Sequence, residues 1–405
     1  MKNVLIACEA DPKNDPRPNR MINWLKESYD VTVITKSSAA LDGVASFSAE
    51  MPARTSKLLK LAGILPPGLR GLLRKPARKI LAFPAMLNQL IKIRTGRIDD
   101  LLWPIHELTR KMQEQMSGRT YDLIITHDCS LLPLVFGLKQ SHTKVMLDAR
   151  EFYPKNYNDQ WKWRLQYRPI NEYLCQKYLH RCDKIITVSD GLAQEYRKEF
   201  NVESEVLMSL PAFHDIQPAK PEDKKIKMIY HGWVGMSRRT EVMIDLMNYV
   251  DERFSLDFMV MLDKSDYAGK FLSKAKGHKN IRIIKPVAMR DIVPFTNTYD
   301  IGLFLCPPNN LNLTYALPNK LFEFIQARLM VAIGPGIEMR KIVDQYDCGI
   351  VSEDFEPQSL AHLLNRLSTE QLMYHKNQSH IAAQVLNERA NRKKIRAMVQ
   401  ELIGE

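Results

Sequence analysis

The sequence predicts an α/β protein made of two doubly wound, parallel-sheet domains in tandem. Three observations carry that expectation. Short strand-like runs are apolar along their whole length, which suits burial on both faces of a parallel sheet. These runs alternate with helical segments, the pattern of parallel strands joined by crossovers. The alternation pauses at a polar stretch containing prolines and then restarts, in a chain of 405 residues that is long enough for two cores.

Taken in order, "NVLIA" from Asn3 is the first strand, and "DPKNDPRPNRMINWLKE" is a proline-rich loop feeding a helix. "YDVTVIT", "YDLIITHD", "KVMLDA" and "DKIITVS" are further strands, with "PINEYLCQKYLHRC" an amphipathic helix before the last. "QPAKPEDKK", Gln217 to Lys225, reads as a linker. After it come "IKMIYHG", "LDFMVML", "NIRIIKP", "YDIGLFLCP", "LMVAIGP" and "CGIVSE" as strands, and Ser368 to Glu405 reads as helix. The expected domains are residues 1–216, 217–385, and a terminal helix, 386–405, that returns to the first domain. Tandem sheets of this kind place the carboxyl ends of their strands across a cleft, where ligands bind.

Apolar residues make up 45% of the chain, enough for full globular folding, and no apolar run reaches the length of a membrane span. The start "MKNVLIACEADP" goes straight into a strand, unlike a signal peptide. Six scattered cysteines with no CxxC pair read as reduced thiols of a cytosolic protein, with no metal site.

The net charge of +12 is concentrated. Between Met51 and Ile98 lie eleven basic residues and no acid. Leu69, Leu72, Leu73 and Ile80 recur at roughly helical spacing, and Arg70, Arg74, Lys75, Arg78 and Lys79 fill the positions between them. Such a segment suits an amphipathic element on an anionic membrane surface. Nucleic acid is the poorer partner, because stacking aromatics are sparse there. A merely solvated face would leave the leucines exposed. "NDQWKWRLQYRP" adds Trp161, Trp163 and Tyr167 among cations, which fits a membrane interface or a packed helix with exposed charges.

Two stretches are candidates for chemistry. In "HGWVGMSRRTEVMIDL" a strand runs into a loop carrying Gly232 and Gly235, and a helix is expected from near Arg239. Loop amides with an arginine at a helix start form a phosphate site, or simply an ordinary strand-to-helix turn. In "CPPNNLNLTYALPNKLFEFIQ", Pro318 sits near a helix start. Lys320 and the amides of Asn319 to Leu321 would meet a diphosphate, and Glu323, a turn further in, would accept from a ribose diol. Glu323 reads equally well as an acid that complements the helix dipole.

Together with "HDCSLLP", "DAREFYP" and "CDKIITVSDGL", these stretches resemble retaining, nucleotide-sugar-dependent glycosyltransferases of GT-B fold, family 4, over nearly the whole chain. The resemblance implies donor binding by the C-terminal domain and acceptor binding by the N-terminal one. It implies that Glu323 holds the ribose as the second glutamate of an E-x7-E motif, whose first position is here Tyr315. The amides around Leu317 would take over part of the lost contact to the donor sugar. Arg238 and Lys320 would meet the diphosphate, and His127 the donor sugar near the reacting carbon. Glu151 would position an acceptor hydroxyl or pair with Arg150, which replaces a family histidine. No DxD motif occurs, so cations and helix dipoles replace a metal.

The expected function is therefore transfer of a sugar, with retention, from a UDP-sugar to a lipid-linked glycan. The setting would be surface polysaccharide synthesis on the cytoplasmic face of the inner membrane. The alternatives are an inactive scaffold of the same fold and a nucleotide-sugar epimerase. Reversal of Arg70, Arg74, Lys75, Arg78 and Lys79 to glutamate is expected to release the protein from vesicles containing anionic lipid. Flotation of the reversed protein with such vesicles would move the contact to the stretch around Trp161.

Overall fold

A computed structural model of the chain describes residues 1–9, 11–35, 41, 43–48, 84–222 and 225–404. The chain divides into two compact units. The first comprises Met1–Thr187, Glu195–Glu205 and Arg396–Glu405, and the second Val188–Gln194 and Val206–Ile395. The change of unit near residue 205 thus precedes the polar stretch at Gln217, and the last helix contributes residues to both units.

The first sheet has seven strands: β1 (Asn3–Cys8), β2 (Asp30–Thr35), β3 (Ala45–Ser48), β4 (Leu123–Thr126), β5 (Lys144–Ala149), β6 (Lys184–Thr187) and β7 (Glu205–Val206). Their order is β3-β2-β1-β4-β5-β6-β7, with parallel pairing from β3 through β6. The second sheet has six: β8 (Ile226–Trp233), β9 (Phe254–Met261), β10 (Ile281–Ile284), β11 (Ile301–Phe304), β12 (Met330–Ile333) and β13 (Gly349–Val351). Its order is β10-β9-β8-β11-β12-β13, again parallel. Each sheet reverses direction of growth once, between β1 and β4 and between β8 and β11, and those switch points are where a doubly wound sheet opens a crevice.

Apart from Asn3, β1, β4 and β12 are buried along their whole length, as their apolar runs require. Two strands escaped the sequence reading, β3 and β7. Both are polar or short edge strands, so no apolar run marks them. The helix expected over Ser368 to Glu405 is in fact two, Thr369–Val385 and Glu388–Ile403. The Asn387 side chain donates to the Ala383 and Gln384 carbonyls and accepts from the Arg389 amide, closing one helix and opening the next. Residues 84–94 are helical, while Arg70, Arg74, Lys75, Arg78 and Lys79 lie outside the described residues. The helix Trp161–Gln166 leaves Trp161 and Leu165 exposed, and exposed Tyr167 follows it. Gln89 of the 84–94 helix donates to the Gln166 carbonyl at 2.8 Å.

All six cysteines are unpaired thiols, five of them buried, with the sulfurs of Cys129 and Cys175 3.7 Å apart. One buried cation of the second unit, Lys376, is bonded at close range. Lys376, fully buried, donates to the Tyr299 carbonyl at 2.9 Å and to Asp300 at 3.1 Å.

The helix Asn319–Gln326 is pressed onto β11 at Gly302, where an added Cβ would stand 2.2 Å from the Phe324 ring. That closeness holds the helix start against the switch point. Gly302→Ala is therefore expected to cost about 1–3 kcal/mol by overpacking. It should lower the urea midpoint of the second unit with an unchanged slope.

Candidate functional site

At the second switch point, β8 delivers Tyr230, His231 and Gly232, and β11 ends at Phe304, followed by Cys306. Pro318 occupies the cap position of the facing helix, and no side chain caps its first amides. Asn319 and Lys320 form its first turn, with amides available to an anion. The Lys320 side chain turns inward. Its Nζ lies 4.0 Å from the centre of the Tyr230 ring and 5.0 Å from that of Phe304. It is 6% exposed and has no hydrogen-bond partner. Gly232, at φ +118°, makes the space, since a Cβ there would stand 3.2 Å from Nζ. Burial, and then the charge of Arg238, push the Lys320 ammonium well below the ordinary lysine value.

Arg238 closes a short turn, Met236–Arg238, within electrostatic reach of Tyr230, Lys320 and Cys306. The expected helix near Arg239 begins later, at Val242. Arg239 instead adopts a left-handed conformation, φ 45° and ψ 47°, and is exposed at the end of the turn. Glu323 lies one turn into the helix from Asn319, with Oε2 3.5 Å from His231 Nε2. His231 is buried edge-on to Phe324, and burial lowers its pKa to about 3, so the ring is neutral.

Tyr315 belongs to the same unit. Its ring packs on Gly191, where a Cβ would fall 2.0 Å from it, and its carbonyl accepts from Ser189 at 3.0 Å. The amides of Tyr315 and Ala316 close the turn of the preceding helix, on the Leu311 and Leu313 carbonyls. Leu317 is a core residue. The two amides on the N-terminal side of Leu317 are thus already bonded.

In the first unit a second polar cluster forms at the carboxyl ends of β1, β4 and β5. Arg17 clamps Asp148 with two bonds of 2.6 and 2.7 Å, both residues buried. His127 is fully buried, its Nδ1 2.9 Å from Asp148 Oδ2 but off the line of a hydrogen bond. Burial would raise the Asp148 carboxyl, yet Arg17 and His127 hold it far below the usual carboxylate range. Arg150 reaches Asp15 and, at 3.3 Å, Asp128. Its ion pairs are therefore to those two carboxylates. The Glu151 carbonyl accepts from the Tyr196 hydroxyl at 2.7 Å.

The structure thus brings Lys320, Arg238, Gly232, Asn319 and Glu323 together, while the Tyr315 ring packs on Gly191 and Arg239 is exposed. Sequence reasoning passed over His231, Tyr230, Arg17 and Asp148. For Asp148 a signal was present, a lone acid inside the apolar run "KVMLDA", where a buried charge needs a partner. Among the described residues no group of three or more His, Cys, Asp or Glu is placed to hold a metal ion.

No family model matches the sequence, and no curated protein matches it. Solved structures do match the fold. Sucrose-phosphate synthase from Thermosynechococcus elongatus aligns with TM-score 0.68 at 10% identity, covering 99% of each chain. WaaG, a glycosyltransferase involved in lipopolysaccharide biosynthesis, aligns at 0.62 and 11% identity over 100% of both chains. Anabaena HepE in complex with UDP and glucose aligns at 0.66 and 12% identity, over 99% of this chain and 100% of that one. At such identities the likeness defines the fold, which is GT-B, with two Rossmann-like parallel-sheet units as the sequence predicted.

A neutral His231 is the form that folding favours. Its contribution to stability is complete above the ordinary histidine value of 6.5 and is lost as pH falls from there toward about 3. His231→Phe is expected to flatten the loss of stability across that window. An acid limb identical to the parent's in pH-dependent urea melts would contradict this.

Proposed function

We propose that the chain is a retaining, metal-independent glycosyltransferase whose second unit binds a nucleotide-diphosphate sugar, with UDP as the leaving group. One observation carries the reading. A buried lysine with no partner, Lys320, stands beside Arg238 at an uncapped helix start on the switch point of the second sheet. Leaving a polar group unsatisfied costs stability, so such a group points to a ligand. Two cations and a helix N-terminus suit a diphosphate. Glu323, one turn on, is in place to accept from a ribose diol. The complex of a similarly folded protein with UDP and glucose supports a UDP-sugar as donor.

On this reading negative charge grows on the departing diphosphate, and groups already fixed around it stabilise that charge. Arg238, Lys320 and the amides of Asn319 and Lys320 do so, and a phosphate oxygen takes the proton of the acceptor hydroxyl. Within the first unit, His127 and Glu151 are the residues assigned to the sugar and to the acceptor. The acceptor is a lipid-linked glycan of a surface polysaccharide, met at the cytoplasmic face of the inner membrane. The basic segment between Met51 and Ile98 and the exposed Trp161, Leu165 and Tyr167 support that surface, and no nucleic acid is involved. A second reading, a donor-binding protein without transfer, draws on Tyr315, whose ring packs on Gly191 at the position where the family carries a glutamate.

Glu323→Ala is expected to weaken UDP binding by about 1.5–3 kcal/mol, the loss of a charged hydrogen bond. Arg238→Ala should slow turnover while leaving the melting temperature in place. Release of UDP from sugar nucleotides in the presence of lipid acceptors should persist in EDTA. Unchanged UDP affinity in Glu323→Ala would reject the ribose assignment, and activity that vanishes in EDTA and returns with Mg would reject the metal-free mechanism.

A further inference from the structure

We propose that the pocket around Lys320 takes up a proton from solution when a diphosphate enters, with the Lys320 amine as the acceptor. The inference rests on the reading of this pocket as a diphosphate site and deepens it.

The geometry leaves the amine isolated. Its neighbours are the faces of Tyr230 and Phe304, the bare Cα of Gly232 and no hydrogen-bonding atom. The titratable and charged groups facing it are Tyr230, His231 and Arg238 from β8 and the turn after it, Cys306 beyond β11, and Glu323 on its own helix. Glu241 lies further off, beside Cys306 and bonded to Tyr267. Burial pushes the Tyr230 phenol up and the Cys306 thiol to about 11, so both are neutral near pH 7. His231 is neutral as well. Charge in the pocket is then Arg238 against Glu323, and Arg238 acts the more strongly on Lys320. The two ring faces attract an ammonium, but by less than the loss of its water opposes it. The empty pocket accordingly favours the amine over the ammonium at Lys320, beside the Arg238 guanidinium.

A diphosphate inverts that balance. Oxygens carrying net negative charge arrive within reach of Nζ and supply the acceptors that the rings cannot. The ammonium becomes the favoured form, and its proton comes from the buffer. Release of the diphosphate returns that proton. The charge that neutralises the leaving group is therefore assembled on binding, and the free protein does not carry a buried ammonium between turnovers.

The test is calorimetry of UDP binding at about pH 8, where the terminal phosphate is already ionised, in buffers of different ionisation heat. The observed heat should vary with buffer by an amount equal to uptake of about one proton per UDP. Affinity should weaken by up to about tenfold per unit as pH rises further. Lys320→Arg, charged at every accessible pH, and Lys320→Met, which cannot charge, should both bind UDP with heats independent of buffer. Because the amine bonds to nothing in the free protein, Lys320→Met should melt no lower than the parent, and Lys320→Arg provides a second variant should the first not fold. If the parent binds UDP with buffer-independent heat, the proton uptake is wrong and the diphosphate site stands. Uptake that survives in Lys320→Met assigns the proton to another group and overturns the inference. If the parent does not bind UDP at all, the diphosphate reading fails and the inference with it.

Discussion

A strand buried on both faces of a parallel sheet has little room for an unpaired polar side chain except near its ends. Everything else in this protein follows from that constraint. The interiors of β1, β4 and β12 are buried and apolar along their length. The residues that can do chemistry are pushed to the carboxyl edge, where strand order reverses and the crossovers leave on opposite sides. His127 and Asp128 follow β4, and Asp148 to Glu151 fall at the end of β5. His231 and Gly232 come at the end of β8 and Cys306 just past β11. Both units obey the same rule with different residues.

The two edges nevertheless differ in how their cations are paired. In the first unit every guanidinium named has its carboxylate: Arg17 has Asp148, and Arg150 has Asp15 and Asp128. Such a network is costly to desolvate and costly to break, and it holds its members in one geometry. His127 therefore stands against a carboxylate already held by Arg17. In the second unit Lys320 has rings for neighbours and nothing to bond. Paired guanidinium groups suit a scaffold held in one geometry, while a buried amine with nothing to bond suits a pocket awaiting a ligand.

The parts of this design that were legible in the sequence are those set by local pattern. Apolar runs located the inner strands because burial on both faces leaves no alternation to misread. "LPNKLFEF" marked its helix start because proline before a run of helix formers has few other uses. Edge strands β3 and β7 were invisible, since a half-solvated edge needs no apolar run. The break at Asn387 was missed because an asparagine within a helical pattern signals a cap only when its bonds are seen. His231 and Asp148 were missed for a different reason. Their partners are distant in sequence, Arg17 lying 131 residues from Asp148, and no spacing rule connects them. The packing of Tyr315 on Gly191 and of Leu317 in the core is likewise a long-range matter that no local pattern marks.

The thiols described with the fold make the protein its own reporter of opening. Burial holds Cys8 near 12, Cys182 near 12, Cys306 near 11 and Cys348 near 12, so almost none is thiolate at neutral pH. An alkylating reagent therefore finds little to attack in the closed molecule, and its rate measures how often each region exposes sulfur. Cys8 sits on β1 in one sheet, and Cys306 follows β11 in the other. The two switch points thus carry separate clocks for local unfolding, with no label introduced.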